Sequence, residues 1–162
     1  MIQEIFGVNT HIREVADGYA EKGYIAYAPK LFDRIGIDIE LGYSESDMAK
    51  GIDLAFSQLA LDQVISDVQE TVNHIAAEGA QKIGIVGFCF GGLVSWLSAA
   101  QVTGLSAAIG YYGGGIAGHL EQSPQCATML HFGELDAHIP LTDVDKIKQA
   151  NPQLPIHVYA AD

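Results

Sequence analysis

Cysteine is scarce in this sequence. Its 162 residues include two cysteines, Cys89 and Cys126. Secreted domains that depend on disulfides normally carry more, whereas lone thiols are common in proteins of a reducing compartment. No basic stretch followed by an apolar segment opens the chain, so the sequence does not indicate export. These features together predict a soluble, cytoplasmic protein.

Basic residues are also few. There are 8 lysines and arginines against 20 aspartates and glutamates, which gives a formal net charge of −12. A surface with this charge repels the phosphates of nucleic acids and anionic lipids. The sequence also lacks the run of roughly 20 apolar residues that a membrane span requires. We therefore expect neither nucleic acid nor a membrane as a partner.

The chain does contain short apolar runs that alternate with longer amphipathic stretches. The predicted strands are Tyr24–Ala28, Lys82–Val86, Ser106–Tyr111, Cys126–Phe132 and Ile156–Tyr159. The predicted helices are Thr10–Lys22, Asp53–Ala77, Gly92–Val102 and Thr142–Ala150. Repeated strand–helix–strand order predicts an α/β fold with a doubly wound, mostly parallel sheet, in a single domain spanning residues 1–162.

Three segments do not follow this alternation. Residues Arg34–Lys50 are polar and interrupted by glycine, which predicts either a surface excursion over a pocket or an ordinary solvated loop. Met1–Gln3 has the pattern of the end of a buried strand. The sequence stops at Asp162, directly after the last predicted strand, and an open sheet normally has covered edges. We therefore expect an incomplete domain, truncated at both ends.

The strongest chemical signal lies where the second predicted strand meets a helix. The sequence there reads Gly87-Phe88-Cys89-Phe90-Gly91-Gly92. This is the cysteine form of the nucleophile elbow, a tight turn in which side chains at the flanking glycines would collide with neighbouring backbone. Such a turn exposes the thiol at a helix N-terminus, whose dipole favours the thiolate. The alternative is a buried structural cysteine in a glycine-rich turn.

A second candidate side chain follows the strand that ends at Phe132. Asp136 lies in the loop after this strand, which is the place of the acid in nucleophile–acid–histidine triads of this chain order. It could instead cap the helix that begins near Thr142. His138 is too close in sequence to Asp136 to come from the separate loop that supplies the histidine, so we interpret it as a loop residue.

Several motifs together resemble the dienelactone hydrolase family, the carboxymethylenebutenolidases of the α/β-hydrolase superfamily. The matching segments are Gln3-Glu4-Ile5-Phe6-Gly7-Val8-Asn9, Gly87-Phe88-Cys89-Phe90-Gly91-Gly92, Tyr111-Tyr112-Gly113 and Gly133-Glu134-Leu135-Asp136-Ala137-His138-Ile139-Pro140. They occur in the family's order along nearly the whole chain. The resemblance implies an α/β-hydrolase fold.

The resemblance also implies a role for each matching residue. Cys89 corresponds to the nucleophile and Asp136 to the triad acid. Glu4 is similar to a family glutamate that contacts the nucleophile and helps to generate the thiolate when substrate binds.

Three further positions follow from the same resemblance. The backbone amides of Ile5 and Phe90 correspond to the oxyanion hole. Tyr112 corresponds to a tyrosine of the substrate pocket, although it could equally be a packing residue.

The sequence departs from the family in three respects. The family's first strands are missing. None of the six histidines occupies the position of the family's catalytic histidine, which follows the strand predicted here at Ile156–Tyr159. The arginines that bind a substrate carboxylate in the best-known member have no secure match, since Arg34 is the only arginine in the polar excursion.

The leading hypothesis is a hydrolase that cleaves a small-molecule ester or lactone by acyl transfer to Cys89, without a metal or organic cofactor. A catalytically incomplete fragment or pseudoenzyme of the same fold is the first alternative. The second alternative is a metal-binding protein, because His131, Glu134, Asp136 and His138 place four possible ligands within eight positions.

Overall fold

A four-stranded parallel sheet forms the centre of the fold in the computed structural model, which describes residues 1–161. Its strands are β1 (Ile83–Phe88), β2 (Leu105–Tyr111), β3 (Ala127–Gly133) and β4 (Ile156–Tyr159). They lie side by side in chain order, and every pairing is parallel. All four overlap predicted strands, because strands of a buried parallel sheet are continuous apolar runs that are visible in the sequence.

Five helices within residues 1–161 connect and flank these strands. They are α1 (Thr10–Glu21), α2 (Glu45–Asp53), α3 (Leu61–Ala77), α4 (Phe90–Gln101) and α5 (Leu141–Ala150). The predicted α/β class, with a parallel sheet flanked by helices, is confirmed. None of the helices in the described part of the chain has the length and apolar character needed to span a membrane.

Helix α4 is the centre of the core. It packs against β1, β2 and α3, and every residue from Phe90 to Ala99 is buried. The indole of Trp96 is fully enclosed, and its Nε1–H donates to the carbonyl of His119 at 3.2 Å. This central position fixes the start of α4, and therefore the elbow that precedes it.

The prediction of one helix over Asp53–Ala77 is wrong. A short π-helical segment, Leu54–Gln58, continues α2, and the extended backbone of Leu59 and Ala60 then separates it from α3. The physical reason is that the two parts pack against different partners. Helix α2 meets the turn at Ile5, where a Cβ on Gly51 would lie 2.5 Å from the Ile5 carbonyl oxygen, whereas α3 packs against α4 and β1.

The prediction of a strand at Tyr24–Ala28 is also wrong. This segment has no regular secondary structure, and Tyr24 and Ile25 are 64% and 85% exposed. A strand is held by a ladder of backbone hydrogen bonds to a neighbour. Here no ladder forms: the segment accepts a hydrogen bond from the Met1 ammonium group at the Tyr27 carbonyl at 2.7 Å, and Tyr24 N–H donates to the Tyr19 carbonyl of the preceding helix at 3.2 Å.

The N-terminal segment lies beside β1. The pattern of Met1–Gln3 predicts the end of a buried strand, and the segment pairs with β1 through a single bridge. Ile2 N–H donates to the Val86 carbonyl at 2.7 Å, and Ile2 pairs with Gly87 in parallel. The polar excursion is only partly a loop. Its last six residues belong to α2, which begins with a capping box formed by Ser44 and Asp47.

Candidate active site

Cys89 occupies a strained turn between β1 and α4. Its φ and ψ angles are 54° and −115°, a region that residues with side chains adopt at a cost of roughly 1–3 kcal/mol. The amide of Cys89 donates to the carbonyl of Tyr111 at 3.0 Å, so the adjacent strand holds the turn in place. Strain of this kind is retained where the surrounding structure enforces it.

The glycines of the elbow are required by close approach of backbone. A Cβ on Gly87 would lie 1.9 Å from the carbonyl oxygen of Gly91. A Cβ on Gly91 would lie 2.5 Å from the carbonyl oxygen of Ile2 and 2.6 Å from that of Gln3. The collisions expected from the motif are therefore present, and the second one ties the elbow to the segment that carries Glu4.

Glu4 reaches the site from the turn after this segment. Gln3, which is 1% exposed, anchors the turn by accepting a hydrogen bond from Leu31 N–H at 3.2 Å. The hydroxyl of Tyr112 donates to Glu4 Oε1 at 3.4 Å. Burial raises the pKa of Glu4, while the nearby His11 and the Tyr112 hydrogen bond act in the opposite direction.

The electrostatics of Cys89 differ from the expectation of a stabilised thiolate. Burial is the main factor that raises the pKa of the thiol, and the negative charges of Glu4 and Asp136 raise it further. The Phe90 amide hydrogen-bonds to the sulfur and lowers the pKa, in the direction expected for a helix N-terminus, but its effect is smaller. The resting site therefore favours the neutral thiol.

Asp136 lies half-buried in the loop after β3. Its Oδ1 accepts a hydrogen bond from His138 N–H at 2.7 Å, which closes a local turn. The charges of Asp136 and Glu4 both act on Cys89. The fold therefore brings these three side chains near one another, although Glu4 and Asp136 are 132 positions apart in the sequence. His138 is exposed and contributes its backbone to this turn.

The two predicted oxyanion-hole amides belong to buried residues. Phe90 is the first residue of α4, so its N–H has no partner in the helix ladder. Within residues 1–161, the Ile5 N–H donates to no backbone carbonyl outside the regular helices and strands. The Ile5 amide can therefore donate to a developing negative charge, and the Phe90 amide, which contacts the Cys89 sulfur at rest, lies at the same elbow.

Tyr112 has a φ of 39°, which points to a constrained position at the end of β2. Its N–H donates to the His131 carbonyl at 2.7 Å. Burial raises the pKa of its hydroxyl strongly, and Glu4, Cys89 and Tyr43 raise it further. The tyrosine thus stays a neutral hydrogen-bond donor beside Glu4.

Tyr43 is a neighbour of the site that the sequence analysis missed. Its hydroxyl accepts a hydrogen bond from Asn9 Nδ2 at 3.2 Å, and its ring meets Phe6 edge-on at 4.7 Å. The available signal was the Ser44-x-x-Asp47 capping box, which predicts a helix start at Glu45 and places Tyr43 at its entrance.

The four side chains of the metal hypothesis do not converge. His131 lies on β3 and stacks against Tyr111 at 4.4 Å and His157 at 5.2 Å, with its Nδ1 2.9 Å from the Tyr159 hydroxyl. Among residues 1–161, no three histidine, cysteine, aspartate or glutamate side chains are arranged to hold a metal ion. His131 is therefore a member of an aromatic row across the sheet.

The parallel sheet, the helices that flank it and the elbow at Cys89 together define an α/β-hydrolase fold. A crystal structure from Xanthomonas campestris, provisionally titled a hydrolase of the alpha/beta superfamily, matches with a TM-score of 0.66 at 13% identity, over 98% of this chain and 83% of that one. A provisionally named dienelactone hydrolase from Klebsiella pneumoniae matches with a TM-score of 0.79 at 28% identity, over 98% of this chain and 70% of that one.

The chain belongs to the dienelactone hydrolase family, whose sequence model matches residues 1–162. A provisionally named carboxymethylenebutenolidase of Synechocystis is 34% identical over 93% of this chain and 65% of its own length. The chain spans 55% to 65% of the length of three curated relatives. The resemblance inferred from the motifs is thus confirmed.

Proposed function

We propose that this chain carries the nucleophile of a hydrolase that cleaves a small-molecule ester or lactone. The observation that supports this most is Cys89 on its strained elbow, with a φ of 54° and with Glu4 and Asp136 close enough to act on its thiol. Membership of the dienelactone hydrolase family supports the same reaction class. No metal or organic cofactor is required for this chemistry.

The reaction begins when the thiol of Cys89 loses its proton. The sulfur then attacks the carbonyl carbon of the substrate, and the electron pair of the carbonyl double bond moves to its oxygen. The amides of Ile5 and Phe90 stabilise this oxyanion. Collapse of the intermediate re-forms the carbonyl and breaks the bond to the alcohol oxygen, and the alcohol leaves with the proton that Glu4 took from Cys89. Water then hydrolyses the remaining thioester to the acid and the free thiol.

Glu4 is the proposed proton acceptor in the first step. Burial raises the pKa of Glu4, which makes its carboxylate a stronger base. At rest, the negative charge of Glu4 also raises the pKa of the Cys89 thiol. Tyr112 holds Glu4 by the 3.4 Å hydrogen bond. Asp136 is the proposed triad acid, which orients a histidine in enzymes of this chain order.

The second candidate function is a catalytically incomplete member of the same fold. It is favoured by the charges around Cys89, because within residues 1–161 those that act on the thiol are the carboxylates of Glu4 and Asp136, without a histidine. We propose that the catalytic histidine is none of the six in this sequence.

We further propose a cytoplasmic location, which is supported by Cys89 and Cys126 both being free thiols, as is usual in a reducing compartment.

Hydrolysis of p-nitrophenyl acetate by wild type, Cys89→Ala and the matched control Cys126→Ala tests the proposal. We expect Cys89→Ala to lose at least about 100-fold in kcat/KM, since the nucleophile is absent, and the control to retain activity. Hydrolysis that survives Cys89→Ala would contradict the assignment. Absence of hydrolysis in the wild type, with Cys89 still alkylated by iodoacetamide, would support the incomplete form.

A further inference from the structure

Gln3 is a polar side chain enclosed in the core beside the proposed active site. It is 1% exposed, and both ends of its amide group contact backbone. Oε1 accepts a hydrogen bond from Leu31 N–H at 3.2 Å, and Nε2 donates to the carbonyl oxygen of Glu4 at 3.3 Å. Leu31 is itself buried and begins a short 3₁₀ helix. The side chain of Gln3 therefore ties the Glu4 carbonyl to a fixed point in the core.

The carbonyl that Gln3 contacts belongs to the same peptide unit as the amide of Ile5. In a planar trans peptide, the C=O and the N–H point in opposite directions. A hydrogen bond that fixes the Glu4 carbonyl therefore also fixes the direction of the Ile5 N–H, on the other side of the unit. This N–H is one of the two proposed oxyanion donors, and within residues 1–161 it donates to no backbone carbonyl outside the regular helices and strands.

The backbone on either side of this peptide is held by close contacts. The carbonyl oxygen of Gln3 lies 2.6 Å from the position of a Cβ on Gly91, so the backbone before the peptide touches the start of α4. The carbonyl oxygen of Ile5 lies 2.5 Å from the position of a Cβ on Gly51, so the backbone after it touches α2. The Glu4–Ile5 peptide is thus placed next to the elbow, and its own carbonyl faces the side chain of Gln3.

We propose that Gln3 is a positioning residue of the oxyanion hole, whose Nε2 holds the Glu4–Ile5 peptide so that the Ile5 N–H points at the carbonyl oxygen of a substrate attacked by Cys89. This inference rests on the proposed function and adds to it a residue that touches neither the substrate nor the thiol. A donor that is oriented in advance stabilises the oxyanion without reorganisation during the reaction. Loss of the Nε2 donor should therefore weaken oxyanion stabilisation and leave the reactivity of the thiol unchanged.

Two reactions of Cys89 separate these effects without requiring turnover. In acetylation by p-nitrophenyl acetate, the sulfur attacks the carbonyl, an oxyanion forms and p-nitrophenolate leaves. In alkylation by iodoacetamide, the sulfur displaces iodide from a saturated carbon and no oxyanion forms. Both reactions need the thiolate, so a change in the pKa of the thiol largely cancels in the ratio of the acetylation rate to the alkylation rate.

The initial rates of both reactions are measured separately at Cys89 and Cys126 by mass spectrometry after an acid quench. The ratio at Cys126 corrects for the intrinsic reactivity of the two reagents. We expect the wild-type ratio at Cys89 to exceed that at Cys126 by about 100-fold or more, the size of the contribution of one oxyanion donor.

Two variants of Gln3 remove the donor. Gln3→Met has no hydrogen-bonding amide and should lower the ratio at Cys89 by about 10-fold or more at every pH, since the Ile5 donor is misdirected but still present. Gln3→Glu keeps an acceptor for Leu31 N–H. Its introduced carboxyl can donate to the Glu4 carbonyl when protonated and cannot when ionised, so the ratio should fall as the pH rises between about 5 and 9. The wild type at the same pH values corrects for titration of other groups.

Gln69→Met is the matched control. Gln69 also binds backbone through both ends of its amide group: Oε1 accepts from Thr103 N–H at 2.8 Å, and Nε2 donates to the Thr103 carbonyl at 3.2 Å. Thr103 precedes β2 and Cys89 follows β1, so in this parallel sheet the two lie at opposite edges. We expect this variant to keep the wild-type ratio at Cys89, even where urea unfolding shows a loss of stability.

A measurement on the wild type does not depend on whether the variants fold. The side-chain amide protons of Gln3, followed by NMR, should exchange with solvent at least about 100-fold more slowly than those of the more exposed Gln69, because the former are buried and hydrogen-bonded. Equal exchange rates would show that the amide group of Gln3 is not held, and would overturn the inference.

The outcomes separate the two proposals. If the wild-type ratio at Cys89 equals that at Cys126, Cys89 has no oxyanion hole, and the proposed function fails together with this inference. If the wild-type ratio is high and both Gln3 variants keep it, the turn closed by the bridge between Glu4 and Gly7 orients the amide by itself. The positioning role is then overturned and the nucleophile assignment stands. Acetylation and alkylation of Cys89 that change in parallel in the variants would also overturn it, because Gln3 would then act on the fold alone.

Discussion

Replacing Gly91 by alanine should disable the proposed active site while leaving Cys89, Glu4 and Asp136 unchanged in sequence. The new methyl group would lie 2.5 Å from the Ile2 carbonyl oxygen, and ordinary contact begins at 3.4 Å. Both neighbours are backbone atoms, so no flexible side chain can move aside. Either the Ile2–Gln3 segment or the start of α4 must therefore shift by about 0.9 Å, the difference between these two distances.

A shift of this size separates the two halves of the site. Glu4 and Ile5 follow the displaced segment directly, whereas Cys89 and Phe90 belong to the elbow. A misplacement of about 1 Å can cost about 100-fold in rate, or roughly 2.7 kcal/mol of transition-state stabilisation. We expect a loss of that order in kcat/KM for p-nitrophenyl acetate, and a loss of about 1–3 kcal/mol in the free energy of unfolding from overpacking.

Gly18→Ala is the matched control. Gly18 lies inside α1, where a Cβ would meet nothing within 4 Å, and alanine there should stabilise the helix by up to about 1 kcal/mol. Kinetics and urea unfolding are measured for both variants in a form of the protein that hydrolyses the ester. If Gly91→Ala retains wild-type kcat/KM, the close approach of elbow and Glu4 segment is not required for catalysis, and the reasoning is refuted.

Three further predictions concern Glu4, Cys89 and the histidines. Burial raises the pKa of Glu4 above 4.5. The stabilisation linked to its proton is therefore complete below that value and is lost as the pH rises through the folded-state pKa. Glu4→Gln should thus stabilise the protein at about pH 7 but not at about pH 4. Urea unfolding at both pH values checks this, and an equal effect at both would contradict it. Because the charge of Glu4 raises the pKa of the Cys89 thiol, the same variant should lower that pKa. Labelling of Cys89 by iodoacetamide near neutral pH should then be faster, while ester hydrolysis should be slower. An unchanged pH profile of labelling would argue against contact between Glu4 and Cys89. The 162-residue chain should hydrolyse simple esters at rates far below roughly 1 per second, because in the described residues no histidine acts on Cys89. Turnover near that rate would show that one of the six histidines serves as the base.

Features that depend on short stretches of sequence were predictable. Strands β1 to β4 are apolar runs bounded by polar residues or glycine, and β4 begins and ends at the predicted Ile156 and Tyr159. The elbow was equally local, since its motif implies both the strained residue and the crowded glycines. The steric demands of the backbone act over a few residues, so the order of residue types is sufficient to reveal them.

Features that depend on partners distant in sequence were not predictable from pattern alone. Tyr24–Ala28 has the composition of a strand, but strand formation depends on a neighbouring strand to pair with, and in the described chain this segment belongs to no strand ladder. The break at Leu59 and Ala60 arises because α2 and α3 pack on different surfaces. Helical periodicity continues across that point and gives no sign of it.

The chemistry of the site divides in the same way. Cys89, Glu4 and Asp136 could be selected from their motifs, because each motif is a local pattern of residue types. The contact between Tyr112 and Glu4 spans 108 positions, and the position of Tyr43 beside them depends on how α2 packs. The resting state of Cys89 was decided only by the tertiary structure, because burial and two carboxylates brought from distant parts of the chain outweigh the single amide that the sequence indicates.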